Sequence, residues 1–314
     1  MVIRLGYSGT NKTQNLNSGA VLVSSSNIQR SDVEKRFKIN LKCIEEIVSF
    51  NALNDIKLFR INTGLITAPF FFPYKEILHT ESATLRKTQS FCLEQGIRLT
   101  MHSPVASLGS RYTDKVENNL NNLKYYAEVL QYLGSFESVI VQHVGKESTE
   151  KMNKLEYKER FINVLNMLPP TVKERISLEN DEDWGVRDVV EICKKTGCMF
   201  TYDFHHHKCW PYGDFNDTEI LMALKMCAVL SEDKNLTPKI HLSSQDKFKR
   251  FGGHADYVDY GDYSRVRRLM RPLRKYNFDI MIECGMKEKG VLKLVEQCTA
   301  QKPFWGIQTQ NKMW

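Results

Sequence analysis

Short apolar runs rich in β-branched residues alternate along this chain with longer segments whose apolar residues recur at helical spacing. The runs are Val2–Tyr7, Ile56–Ile61, Ile97–Met101, Ser138–His143, Arg175–Glu179, Met199–Asp203, Lys239–Leu242 and Asp279–Glu283. Each has the length of a strand. Between them, Ser31–Ala52 places Val33, Phe37, Leu41, Ile44 and Val48 on one helical face, and Asp114–Leu133 does the same with Val116, Leu120, Leu123 and Leu130. Strand–helix units without a block of strands alone predict a parallel sheet covered by helices. Their repetition eight times favours closure into an α/β fold of the (β/α)8 TIM-barrel type over an open, doubly wound sheet. No Gly/Ser-rich or Pro-rich linker divides the chain, and Gly252-Gly253 falls in a loop between the seventh and eighth units. The expectation is a single barrel domain over residues 1–314. The Asn- and Ser-rich segment Thr10–Gln29 is then a long first βα loop, of the kind that carries function or moves.

Composition narrows this picture in three respects. With 314 residues, 42% of them hydrophobic, the chain can bury one large core. The eight cysteines (Cys43, Cys92, Cys193, Cys198, Cys209, Cys227, Cys284 and Cys298) are scattered singly, with no CxxC pair, which points to reduced thiols and away from a cysteine zinc site. The opening run carries Arg4 and gives way to polar residues, so it reads as a first strand and not as a targeting signal. No apolar run approaches the length needed to cross a bilayer, which excludes membrane transport. The expected location is cytoplasmic, or wherever a genome is accessible. The net charge of +7 suits a polyanionic partner without identifying one.

The strand ends carry the chemistry. His102 follows the third run, and His143, Glu179 and Asp203 close the next three. His241 lies in the seventh, and Glu283 closes the eighth. In a barrel these ends converge on one mouth. Each residue alone has a plain reading as a satisfied core histidine or a locally paired carboxylate. Together they are harder to explain that way, because three carboxylates buried side by side repel one another unless cations sit between them. Imidazole nitrogens mixed with carboxylate oxygens are a donor set for borderline divalent ions such as Mn²⁺ or Zn²⁺. The run Asp203-Phe204-His205-His206-His207 and the pair His254 and Asp256 add donors. Lys239, two residues before His241, faces the same side of its strand and must be paired, neutral or modified inside a barrel.

Clustered ions of this kind serve phosphodiester hydrolysis, and a strand-end metal pair serves sugar isomerisation equally well. The basic stretches Lys247-Phe248-Lys249-Arg250-Phe251 and Arg265-Val266-Arg267-Arg268 favour a polyanion, with Phe248 and Phe251 available for stacking; the alternative is a pair of solvated faces.

The strings Ile3–Tyr7, Ile140–Gly145, Leu178–Asp181, Asp203–His207, Lys239–Ser244, His254–Tyr257 and Met281–Glu283 resemble, in order, those of the UV-damage endonuclease family, from about Val2 to about Leu294. That resemblance implies a barrel holding two or three divalent ions, usually manganese, with zinc or magnesium as alternatives. It implies incision of DNA 5′ to pyrimidine dimers and related lesions. It assigns His102, His143, Glu179, Asp203, His206, His241, His254 and Glu283 as metal ligands, with Glu179 bridging two ions and acting in catalysis. Lys239 matches a lysine that is carboxylated in some members and is counted as catalytic. Tyr7 matches a tyrosine beside the damaged DNA, and Lys247, Lys249, Arg250 and Tyr257 join it as DNA-binding residues; His205 and His207 receive no role.

Two departures from the family stand out. After His102 the chain reads Ser103-Pro104-Val105-Ala106-Ser107-Leu108, without the Gln and aromatic pair that family members insert into the duplex to offset the unstacking cost of flipping. After the second strand, where the family places a further histidine ligand, it reads Ala68-Pro69-Phe70-Phe71-Phe72-Pro73, a cover for the mouth or a replacement wedge. The leading expectation is a monomeric, metal-dependent endonuclease acting on damaged double-stranded DNA, with no obligate protein partner. An apurinic-site endonuclease or 3′-phosphodiesterase of the related barrel type and a catalytically inactive DNA-binding homologue are the alternatives.

Overall fold

Alternation within each strand, combined with the helices that follow, builds a closed barrel. The computed structural model describes residues 1–20, 28–67, 69, 72–146 and 152–300. Its strands are β1 (Ile3–Ser8), β2 (Thr10–Asn11), β3 (Leu16–Asn17), β4 (Leu58–Arg60), β5 (Arg98–His102), β6 (Ile140–His143), β7 (Ile176–Glu179), β8 (Met199–Asp203), β9 (Lys239–Leu242) and β10 (Phe278–Ile282). Around the barrel they run β1, β10, β9, β8, β7, β6, β5, β4, and β4 pairs back with β1, every neighbour parallel. β2 and β3 form a small antiparallel hairpin in the first βα loop. This is a (β/α)8 TIM barrel, and each of the eight runs read from the sequence contributes one barrel strand.

The helices form where the apolar spacing predicts them. Arg30–Leu53 buries Val33, Phe37, Leu41, Ile44 and Val48 along one face, and a reciprocal cap between Gln29 and Asp32 closes its first turn. Asn153 and Asn216 cap Lys154–Asn166 and Asp217–Glu232 through their side chains, and Gly197 ends Val186–Thr196 in the left-handed conformation. In Thr113–Leu133 the inner face holds Leu123 and Leu130, whereas Val116 and Leu120, in the first two turns, are only half-buried. All eight cysteines are free thiols; Cys43 and Cys298 are half-buried and the other six buried. No described helix is long and apolar enough to cross a membrane.

Outward-facing strand residues such as Tyr7, Phe59, Phe200, Tyr202, Ile240 and Leu242 pack with the helices into one large core, while Val139, Val141 and Met199 make a separate small cluster. The interior is polar above that cluster. Arg98 on β5 reaches Asp279 on β10 with bonds of 2.8 and 2.9 Å, Lys239 on β9 approaches the same carboxylate at 2.5 Å, and Arg4 lies 3.7 Å away. Arg98 also pairs with Glu137. Gly6 lets β1 and β4 close beside this network, because a Cβ there would collide with the Leu58 backbone.

Asp279 is fully buried, and its carboxyl is held below the usual carboxylate range: burial opposes ionisation, but Lys239 and Arg98 outweigh it. Removing one partner of such a network strands the others. Asp279→Ala is therefore expected to lower unfolding free energy by about 3–5 kcal/mol in urea melts; a loss below about 1 kcal/mol would show that Lys239 and Arg98 find other partners.

Candidate metal centre at the barrel mouth

One layer above Asp279, Glu179 ends β7 with no solvent exposure and four imidazoles around its carboxylate. His241 Nδ1 is 2.8 Å and His206 Nδ1 3.6 Å from Oε1; His102 Nε2 is 2.9 Å and His143 Nε2 3.5 Å from Oε2. Glu283 lies 3.4 Å from His241, and its Oε2 is 4.0 Å from His254 Nδ1. Asp203 ends β8 and caps the short helix Phe204–Cys209, accepting the His206 backbone N–H at 2.7 Å. The sharp turn from strand to helix is what swings His206 back over the mouth.

All eight residues expected as ligands thus come together. Three donor sets have ligand atoms within 4.8 Å of one another: His102, Glu179 and His241; Glu179, Asp203 and His206; Asp203, His241 and Glu283. Two observations test whether the set fits a cation. Asp203 Oδ2 is buried and has no partner, a state that costs free energy unless a cation faces it. In addition, three imidazoles have Nδ1 held by a backbone carbonyl that leaves Nε2 available: His102 by Ser103, His206 by Asn180 and His254 by Glu283, each at 3.1 Å; His143 Nδ1 lies 3.0 Å from the Asp181 carboxylate as an ion pair. Metal-binding histidines are oriented in this way. Asp181 is itself fixed by the backbone N–H groups of Asp183 and Trp184.

Protons occupy the role of cations in this arrangement. Burial would lower His143, His206 and His241, but neighbouring carboxylates outweigh it. Glu179 and Asp181 raise His143 to about 9, Asp203 and Glu179 raise His206 to about 10, and Glu179 and Glu283 raise His241. Burial takes His102 down to about 4 and also lowers His254. Glu179 is held well below its ordinary range by His241 and His143 despite burial, and Glu283 is held down by Arg60 and His241. Burial pushes Asp203 up to about 7.

Several expected residues lie elsewhere. Tyr7 is fully buried on the helix side of β1, where its hydroxyl donates to Asn51 at 2.9 Å and accepts from Asn11 at 3.0 Å; it offers DNA no surface. Lys239 shares the inner face with His241 but sits one layer lower in its pair with Asp279, so a catalytic role at the cluster is not supported. In the basic stretch 265–268, Arg265 and Arg268 are paired with Asp217, and Arg267 lies over the Tyr263 ring. That face is an ion-paired helix surface. His207 bonds Tyr202, and His205 contacts Cys209 and stacks edgewise on His254, so two members of the His triplet are packing residues. Ala68, Phe70 and Phe71 lie outside the described residues.

The loop 246–253 stands beside His254. Lys247 and Arg250 are exposed, and Phe248 and Phe251 are 87% and 74% exposed. Lys249 is turned back onto the His254 carbonyl at 2.7 Å and Asp246 at 3.3 Å, so it braces the loop. Tyr257 is half-buried with the Lys293 ammonium 4.0 Å from its ring centre. Three members of the site received no role from the sequence: Arg60, which ends β4 and pairs with Glu283, together with Asn180 and Asp181. Arg60 was marked by being the one cation at the end of a described barrel strand, and Asp181 by standing two residues beyond Glu179.

The family model for UV-endonuclease UvdE matches residues 10–309. The UV DNA damage endonuclease of Bacillus mycoides (strain KBAB4) is 25% identical over 291 residues, spanning 90% of this chain and 88% of that one. A crystal structure of SacUVDE superposes with a TM-score of 0.82 at 28% identity, over 95% of this chain and 98% of that one. Endonuclease IV from Thermus thermophilus, with a TM-score of 0.58 and 14% identity over 95% and 98%, shares the fold alone.

The raised histidines make the metal-free protein sensitive to alkali. Stability gained from His143 and His206 is fully present below their unfolded value near 6.5 and disappears as pH rises through about 9 and about 10. The raised Asp203 acts in the same direction, imposing its penalty as pH climbs from its unfolded value toward about 7. Glu179 and Glu283, being depressed, lose their contribution only in acid. His102 and His254, lowered by burial, cost stability as pH falls below about 6.5, so in EDTA the melting temperature should be highest near about pH 6–7 and fall toward pH 10, and Mn²⁺ should abolish the alkaline fall. A flat profile in EDTA between about pH 6 and 10 would contradict the protonated cluster.

Proposed function

Because the chain belongs to the UV-endonuclease UvdE family, we propose that it is a divalent-metal-dependent DNA repair endonuclease that hydrolyses a phosphodiester bond 5′ to UV photoproducts or other distorting lesions. The observation that carries this reading is the gathering of seven other ligand-type residues around Glu179, with three imidazoles anchored through Nδ1 and one buried carboxylate oxygen of Asp203 without a partner.

His102, His143, Glu179, Asp203, His206, His241, His254 and Glu283 hold two or three ions. The mixture of imidazole and carboxylate suits Mn²⁺ best, Zn²⁺ next and Mg²⁺ least. When bound, such ions neutralise a phosphodiester and acidify an attacking water. The chain's own groups prepare the place. Glu179 belongs to two of the three donor sets and would serve both. The Ser103, Asn180 and Glu283 carbonyls orient the imidazoles of His102, His206 and His254 through Nδ1, so these rings are positioned before any ion would bind.

The segment after His102 is folded inward: Gln142 donates to the Val105 carbonyl at 2.9 Å, and Ser103 Oγ donates to the same oxygen at 2.9 Å. It projects no aromatic residue. The rim loop 246–253 supplies the DNA contact instead, with Lys247 and Arg250 on backbone phosphates and Phe248 and Phe251 against exposed bases.

A set of labelled duplexes carrying a pyrimidine dimer, an abasic site or no lesion tests the reading in Mn²⁺. Incision is expected immediately 5′ to the dimer, with none in EDTA, and Glu179→Gln should lower the rate by about a hundredfold or more while duplex binding persists. Equal cutting of all three duplexes would overturn lesion selectivity. Cutting confined to the abasic duplex would favour an apurinic-site endonuclease, and binding without any cutting would favour an inactive homologue.

A further inference from the structure

Against the metal cluster, between the ends of β1, β4 and β5 and the turn that follows β10, lies a cavity of about 330 Å³. Ser8, Arg60, Asn62, His102 and Lys287 supply most of its polar wall, and among the described residues no carboxylate lines it. Its two cations face each other. Arg60 spends one amino group on Glu283 and keeps further donors for the cavity, so it touches both the cluster and this space.

Lys287 is placed there at a cost. It is a non-glycine residue with φ of 55°, in the left-handed region that glycine occupies without strain. Its half-buried ammonium has one bond, to Ser8 Oγ at 3.3 Å, and takes part in none of the ion pairs among the described residues. Burial lowers its pKa, and repulsion from Arg60 adds to that. The wall is nevertheless built to stay. Glu288, the next residue and fully buried, accepts the Lys12 N–H at 3.0 Å, the Thr13 N–H at 2.7 Å and the Thr13 hydroxyl at 2.9 Å. These bonds clamp the loop between β2 and β3 to the start of the helix Glu288–Ala300. With Arg60 spent in part on Glu283, Lys287 is left as a cation with no carboxylate bonded to it, in a pocket that no described carboxylate lines, and such a site calls for an anion.

We propose that this cavity is a phosphate subsite that takes a backbone phosphodiester of the substrate strand next to the bond held at the metal cluster, with Lys287 and Arg60 as its ligands. The assignment of the anion to DNA rests on the endonuclease reading; the anion site itself does not.

The test uses the full chain with Mn²⁺ and compares wild type, Lys287→Met and Lys287→Arg. Binding of an undamaged duplex across a KCl series should be about tenfold weaker for Lys287→Met near physiological salt. Its plot of log affinity against log salt should be shallower by about one, and Lys287→Arg should keep the wild-type slope. Lys287→Met should melt no lower than wild type, because it removes a desolvated cation. If it does unfold, Lys287→Arg and calorimetric titration of wild type with inorganic phosphate decide the matter. Wild type and Lys287→Arg should bind inorganic phosphate alike, and folded Lys287→Met about tenfold more weakly. An unchanged salt slope together with unchanged phosphate binding in Lys287→Met overturns the proposal. If wild type binds phosphate through Lys287 but neither binds nor cuts DNA, the endonuclease reading falls and the anion site stands; if it binds neither, both fall.

Discussion

A carboxylate removed from water at the centre of a barrel needs positive charge beside it, and Glu179 sets that requirement for this molecule. Four imidazoles from β5, β6, β9 and the turn after β8 meet its two oxygens, so the closure of the barrel and the assembly of the site are one event. The raised pKa values of His143 and His206 express the same demand in protons. The lone oxygen of Asp203 is a second place in the cluster that calls for positive charge.

The barrel interior separates two charged layers that serve opposite ends. In the lower layer Asp279 is bonded by Arg98 and Lys239, with Arg4 3.7 Å away, so its charge is met within the protein. The upper layer is left incomplete: a buried oxygen without a partner at Asp203 and, to one side, the Lys287 ammonium with no ion pair among the described residues, beside Arg60 in its pair with Glu283. The lower layer holds the strands in register, and the incomplete one provides places for ligands of both signs. The clamp at Glu288 extends this logic to the first βα loop, because three bonds to one buried carboxylate hold a polar hairpin that has little apolar surface of its own.

Strand alternation explains both the successes and the errors of the sequence reading. His102, His143, Glu179, Asp203, His241 and Glu283 were legible because each stands at the end of a run that had to be a strand, and barrel strands deliver their ends to one rim. Lys239 was placed on the correct face but not at the correct height. Two residues along a strand is about 6.6 Å, enough to drop a side chain from the ligand layer into the salt-bridge layer. Tyr7 failed on phase, since Gly6 takes the interior of β1 and turns Tyr7 outward to Asn51. For 265–268, where a polyanion contact and a solvated face stood as alternatives, the structure favours the solvated face, because Asp217, distant in sequence, pairs with Arg265 and Arg268.

Local sequence therefore determined the strands, the helices, their capping and the chemical type of the site, because hydrophobic period and strand-end identity are properties of neighbouring residues. Only the tertiary structure decided which groups meet. It placed Arg60 on Glu283, turned Asp181 onto His143, spent Lys239 on Asp279, left Asp203 Oδ2 unpaired and set Lys287 in a strained turn facing Arg60. Each of these depends on the register between strands far apart in the chain, and a single strand's pattern carries no information about the height of its neighbour.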